Sequence, residues 1–143
     1  MKITNRKAYH EYTVLQDFTA GIILLGSEVK SIRLGNVTIS DSYLYLKDGE
    51  IWTKNLIIGK YKQTHLLQTH DEKRDKKLLL NRREINRIEK LLQDNGTTIV
   101  PLEIFLKNNR IKIKIGVVHG KRQFDKRETI KKRETERDIR RVI

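Results

Sequence analysis

Histidine and carboxylate side chains are the groups with which a short chain could hold a metal or move a proton, and this one carries four histidines and eighteen carboxylates. Their spacing supports neither chemistry. His65 and His70 lie five apart, so a helix would turn them to different faces and no zinc spacing results. His10 and His119 stand alone in the sequence. Asp71 and Glu72 follow His70 inside a charged run, which reads more simply as a solvated loop than as an acid/base pair. A Walker loop, a dinucleotide-binding glycine fingerprint and a nucleophile elbow are all missing from the sequence. Cysteine is absent, which removes thiolate ligands and disulfides. No catalytic residue, metal or other cofactor is expected.

Phosphate binding is the chemistry the residues do offer. "NRKAYHEY" sets Asn5, Arg6, Lys7, Tyr9 and His10 side by side, and "KRDKKLLLNRRE" adds Lys73, Arg74, Lys76, Lys77, Asn81, Arg82 and Arg83. Lys112 and Lys114 alternate with isoleucines further on. For any one Lys or Arg, a solvated face is the simpler account. The sum is harder to set aside, because 31 basic residues against 18 acidic ones give a formal charge of +13 that attracts polyanions in any fold. Each bound phosphate releases counterions, and aromatic and guanidinium faces suit unstacked bases, so RNA leads among the polyanions. A membrane is the rival, but no segment approaches the ~20 apolar residues of a spanning helix. "MKITNRKAYHEY" also lacks the apolar centre of a signal peptide, so a cytoplasmic location is expected.

The elements that must position these groups are mainly strands. Asp48-Gly49 between alternating segments in "YLYLKDGEIWTKNLII" predicts a hairpin. Ile111, Ile113, Ile115 and Val117 share one face of a half-buried strand, with Lys112 and Lys114 on the other. Its partner is "TIVPLEIFL", joined through "NNR", with Pro101 expected at an edge or a bulge. Asn81 followed by Glu84 has the form of a capping box, Ile85, Ile88, Leu91 and Leu92 form a stripe, and Gly96 offers a left-handed stop. A shorter helix is expected from Ser27 to Leu34, ending at Gly35. The expectation is a mainly β fold, a small closed antiparallel barrel with two to three helices. It occupies residues 1–119 as an RNA-binding body, followed by a basic tail at 120–143. That tail carries ten basic and five acidic side chains and too few apolar ones for a core. Its i,i+4 pair Glu128 and Lys132 adds only ~0.2–0.5 kcal/mol, so the free tail is expected to be disordered and to coil on an anionic surface.

The segments "NRKAYHEY", "AGIILLGSEVKSIRLGNVTISDSYL", "HDEKRDKKLLLNRREI", "VPLEIFLKNNRIKIKIGV" and "GKRQFDKRE" resemble the SsrA-binding protein (small protein B) family in order and spacing, over nearly the whole chain. The resemblance implies an oligonucleotide-binding-like barrel that grips the tRNA-like end of transfer-messenger RNA during rescue of stalled ribosomes. It further implies a tail that enters the small subunit's decoding centre and the empty messenger channel, where it becomes helical. The family has no catalytic residue of its own, and alanyl-tRNA synthetase and elongation factor Tu are partners through the RNA. Asn5, His10, Arg33, Tyr43, Leu79, Asn81 and Lys112 match positions associated with binding the RNA or shaping its site. Arg6, Lys7, Lys76, Lys77 and Lys114 join them on basic character. Lys121, Arg122, Asp125, Lys126 and Arg127 match tail elements, and Phe124, Lys131, Lys132 and Arg133 complete the expected tail site. Thr19 stands where the family has an acidic residue, Glu72 where it has proline, and Phe124 and Thr135 also depart from the pattern. A general ribosomal protein or RNA chaperone would explain the charge without a special role for the tail. A nuclease with dispersed carboxylates has no positive support.

Overall fold

Residues 1–61 and 70–120 are described by the computed structural model, in which alternation, turns and caps divide the chain into short strands and three helices. In chain order these are β1 (Lys2–Thr4), α1 (Arg6–Glu11), β2 (Tyr12–Ile22), α2 (Gly26–Arg33), β3 (Val37–Thr38) and β4 (Tyr43–Lys47). Then come β5 (Glu50–Lys54), β6 (Ile57–Ile58), β7 (Leu78–Leu79), α3 (Arg82–Leu92), β8 (Thr97–Lys107) and β9 (Arg110–Gly120). The expected tail site, from Lys121 to Arg133, and His65 lie outside the described residues.

Two hairpins form as the sequence predicts. Asp48 and Gly49 both take positive φ, 51° and 73°, and join β4 to β5 in a two-residue turn with Lys47 opposite Glu50. Asn108 and Asn109 do the same at 53° and 62°, and set Lys107 opposite Arg110. Asparagine tolerates the left-handed region better than other side chains, so "NNR" closes a tight turn without glycine.

The large sheet runs β1-β8-β9-β2-β7, entirely antiparallel, with β3–β6 and β4–β5 as separate pairs. The expected closed barrel is not what forms: among the described residues the ladder stays open, with β1 and β7 at its edges. Closure is unnecessary because both edges are very short and otherwise engaged. Beyond β1, Asn5 continues the pairing, its backbone N–H donating to the Leu102 carbonyl at 2.7 Å and its side-chain amide to the Pro101 carbonyl at 2.8 Å. Pro101 sits beside a register shift between Pro101 and Glu103, as its missing donor requires. At the other edge a bridge between Trp52 and Lys77 brings β5 against the residues leading into β7.

Ile113, Ile115 and Val117 fill the core with Ile104, Ile51, Leu56, Ile58 and Ile88. The expectation of one buried face holds only along the first half of β9. Further on, Val118 is also buried, in a second cluster with Ala8, Val100 and Leu102 under α1. Helix α1 was not foreseen: one and a half turns are too short to show apolar periodicity, and Asn5 capping Ala8 was the only signal. Helix α3 starts as expected, but its cap is Gln93, and Gly96 (φ 84°) instead opens the approach to β8.

Candidate nucleic-acid interface

A cavity of about 320 Å³ opens between the end of β2, helix α2, β7 and the start of β9. Its lining combines an apolar floor of Ile22, Leu24 and Val29 with Leu79, Arg33, Arg110 and Lys112, and contains no carboxylate. Leu79 is 52% exposed, because period-two alternation buries Leu78 and turns Leu79 outward. Gly21 lies opposite Leu79, where a Cβ would come 3.2 Å from that of Leu79. Arg33 occupies the last turn of α2, where the negative end of the helix dipole favours a cation, and its guanidinium donates to the Asn109 carbonyl at 3.2 Å. Helix and hairpin tip are thereby tied. A second concavity shares Arg110 and Lys112 and extends the surface to Thr19, Lys107 and Asn108.

Arg33, Lys107, Arg110 and Lys112 make no ion pair with any described residue, whereas most other lysines near the sheet do. Lys114 lies 3.6 Å from Asp17, Lys77 3.9 Å from Glu50, and Lys7 2.9 Å from Asp41. The hydrogen bond to Asp41, followed by its charge, raises the Lys7 pKa. Such surface pairs are worth only ~0–1 kcal/mol and exchange readily for phosphate. The unpaired set has no such competitor and gives the more strongly anion-attracting face.

A smaller groove of about 190 Å³ gathers Asn5, Lys7 and Tyr43 with Glu11 and Asp41. Its charge is mixed. Asn5 is buried and fully committed, since its Oδ1 accepts from the Ala8 N–H at 3.1 Å and its amide donates to Pro101 and Ile39 carbonyls. These bonds tie the start of α1 to β8 and to the loop at Ile39, and so shape the groove. Arg6 and His10 are exposed on α1, and Asn81 caps α3, its Oδ1 accepting from the Glu84 N–H at 2.8 Å.

Lys76 corrects the sequence reading. It is fully buried, and its ammonium donates to the carbonyls of Leu56 at 3.0 Å and Arg74 at 2.6 Å, 3.9 Å from Glu28. An amine so enclosed does not reach a phosphate, and burial lowers its pKa although Glu28 opposes this. Glu28, itself fully buried, accepts from the Leu25 N–H at 2.7 Å, in the cap of α2, and from Nε and Nη2 of the Arg74 guanidinium. His70 is likewise structural rather than solvated. Its Nε2 lies 2.8 Å from the Ile58 carbonyl and must donate, while Nδ1 lies 2.8 Å from the Ser27 hydroxyl. This network fastens α2, with Arg33, to the segment carrying Leu79. Lys107 and Arg110 also line this surface, although "KNNRIK" signals only a turn along the sequence.

The SmpB protein family model matches residues 2–143. The chain belongs to this family. SsrA-binding proteins are similar along nearly all of it. That of Levilactobacillus brevis is 47% identical over 139 residues, covering 97% of this chain and 88% of the relative. That of Caldicellulosiruptor saccharolyticus is 46% identical over 140 residues, covering 98% and 88%. A solved SmpB structure, described as "tmRNA-SmpB: a journey to the center of the bacterial ribosome", superposes with a TM-score of 0.70 at 36% identity, covering 84% of each chain. Among the described residues of this SmpB-family chain, no helix is long and apolar enough to cross a membrane.

Proposed function

We propose that this protein is a non-enzymatic, cytoplasmic RNA-binding factor of trans-translation. It binds the tRNA-like domain of transfer-messenger RNA and brings it to ribosomes stalled without a stop codon. The observation that carries this reading is membership, across residues 2–143, in a family whose relatives are SsrA-binding proteins. The carboxylate-free concavity of Arg33, Leu79, Arg110 and Lys112 supports it physically, since cations supply phosphate contacts and an exposed leucine offers apolar contact to an unstacked base. In this reading the body acts as an oligonucleotide-binding-like barrel, with the β4–β5 hairpin curling toward β8 and β7. The tail from Lys121 onward probes the decoding centre and the empty messenger channel. Alanyl-tRNA synthetase and elongation factor Tu act on the same RNA.

Sequencing the RNA that copurifies at moderate salt tests the reading, and one dominant species with a tRNA-like end is expected. Replacing Arg33 and Lys112 together by glutamine should weaken that binding and reduce the slope of log affinity against log salt. At ~0.7–0.9 per phosphate, the reduction is about 1.4–1.8. Truncation after Gly120 should leave RNA binding nearly intact and abolish peptide tagging. A heterogeneous RNA population, or a truncation that spares tagging and destroys RNA binding, would refute the assignment.

A further inference from the structure

The strands of the large sheet are registered so that one row of residues crosses all five. Lys2 on β1 stands opposite Phe105 on β8, Phe105 opposite Lys112 on β9, Lys112 opposite Gly21 on β2, and Gly21 opposite Leu79 on β7. Directly opposed residues of an antiparallel ladder project from the same side of the sheet. The sequence neighbours Ile104, Ile113, Ala20 and Leu78 are buried in the core, so the row lies on the other side, which is the side of the concavity.

Phe105 is the aromatic member of this row, half-buried and part of neither apolar cluster. Its nearest positions on that face are Lys2 and Lys112 across the ladders, with Glu103 and Lys107 two residues away along β8. None of the four is apolar. Glu103 is engaged by Lys2 at 3.6 Å and by the Tyr9 hydroxyl, which donates to it at 3.5 Å. Among the described residues no ammonium lies over the Phe105 ring, the contact of that kind being Lys30 with Tyr61. Lysine stems can shield part of a ring while their charged ends stay in water. A ring framed in this way has no apolar neighbour in the row beside it, and its affinity for flat aromatic surface is left for another molecule.

We propose that Phe105 is a base-stacking residue of the RNA site: an unpaired base of the RNA held at the concavity lies on its ring, and Lys2, Lys107 and Lys112 meet the adjoining phosphates. The inference rests on the RNA-binding reading above and deepens it, by naming a contact that a paired base cannot make. Continuity argues for this occupant, since Lys112 lines the concavity, Lys107 lines its extension, and both adjoin Phe105. Phe105 and Leu79 are three ladder steps apart, ~14 Å at about 4.8 Å per step, with Lys112 and the side-chain-free Gly21 between them. An RNA segment laid along the row therefore meets apolar surface at two points and cations between and beside them. A duplex has no free base face, so the ring selects for unpaired nucleotides. A membrane would need a broad apolar face, and this is one ring among lysines.

The test uses the full chain with Phe105→Leu and Phe105→Ile, two variants that remove the ring and keep an apolar side chain, and Phe105→Tyr, which keeps the ring. Thermal unfolding verifies that they fold. Affinity for the tRNA-like fragment of transfer-messenger RNA is measured across salt concentrations, and each protein is titrated separately with a short, fully paired RNA duplex. Loss of one stacked base should weaken fragment binding by about fivefold or more in the leucine and isoleucine variants. The slope of log affinity against log salt should not change, because no phosphate contact is removed. Phe105→Tyr should bind like the wild type, and duplex affinity should be the same in all four proteins. Unchanged fragment affinity in the ring-free variants would overturn the proposal and leave Phe105 a packing residue. A loss shared by Phe105→Tyr, a loss with a lower salt slope, or an equal loss for the duplex would overturn it too, since each shows the ring acting through its neighbours instead of on a base. Failure of the wild type to bind the tRNA-like fragment would instead refute the functional assignment, and titration with a single-stranded adenine oligonucleotide would then judge the ring alone by the same criteria.

Discussion

Replacing Glu28 by glutamine and, separately, Lys76 by methionine tests whether the buried network is organised around its single carboxylate. Glu28 balances Arg74 and Lys76, so the cluster carries one negative and two positive groups. Removing the carboxylate leaves the buried Lys76 without its adjacent counter-charge, with only Asp75 and Asp71 still attracting it, while the one-third-exposed Arg74 stays partly solvated, a change at the low end of the buried-pair range, about 3 kcal/mol. Removing Lys76 leaves Glu28 paired with Arg74 and eliminates an ammonium whose burial already disfavours its charge. What remains is the loss of donors to the Leu56 and Arg74 carbonyls, about 1–3 kcal/mol. Against a total stability of ~5–15 kcal/mol, Glu28→Gln should lower Tm by roughly 10 °C and Lys76→Met by less. RNA affinity should follow the same order, because the network ties the helix bearing Arg33 to the strand bearing Leu79. Alkaline pH adds a signed test. The folded pKa of Lys76 lies below the ordinary 10.5, so from that folded value up to 10.5 the unfolded chain binds more protons. Stability contributed by this group therefore rises with pH in that window, and the wild type should gain on Lys76→Met there. Groups common to both proteins cancel. Circular-dichroism melts across pH provide the measurement. The reasoning fails if Lys76→Met destabilises as much as Glu28→Gln, or if the gap between wild type and Lys76→Met is flat or moves the other way with pH.

Two further expectations are simpler. Asn81→Ala removes the side-chain acceptor of the Glu84 N–H in the α3 cap, while the backbone N–H of residue 81 still donates to the Glu84 carboxylate, and should cost about 1 kcal/mol, read as a lower urea midpoint with unchanged slope; an unshifted midpoint would contradict the cap. Tyr45 donates to the Asp75 carboxylate at 2.8 Å, and this bond, ahead of burial, raises its pKa above 10.0. Its stabilisation is complete below that pH and is lost as pH rises through the folded value, so Tyr45→Phe should flatten the alkaline loss. Parallel loss in the two proteins above pH 10 would argue against the bond's contribution.

Local rules were legible wherever a few adjacent residues suffice to set geometry. Asp48-Gly49 and Asn108-Asn109 specify tight turns because their own φ preferences do so. Asn81 and Glu84 specify a helix start through bonds that span three residues. Alternation at Ile111, Ile113 and Ile115 identifies a core face without knowledge of its partner. The charge that attracts a polyanion is likewise a property of composition.

The tertiary structure decided which cations are available. Lys76 and Lys77 are neighbours in a basic run, yet alternation turns one into the core beside Glu28 and leaves the other half-exposed beside Glu50. Glu28 and Arg74 are 46 residues apart, and Arg33 meets the hairpin tip across 76. No local pattern records such pairings, because burial and solvation depend on which distant segments arrive. The sequence by itself determined the turns, the caps, the apolar faces and the overall charge. Only folding determined the open sheet and the carboxylate-free surface, since ion pairing acts through space while sequence pattern acts along the chain.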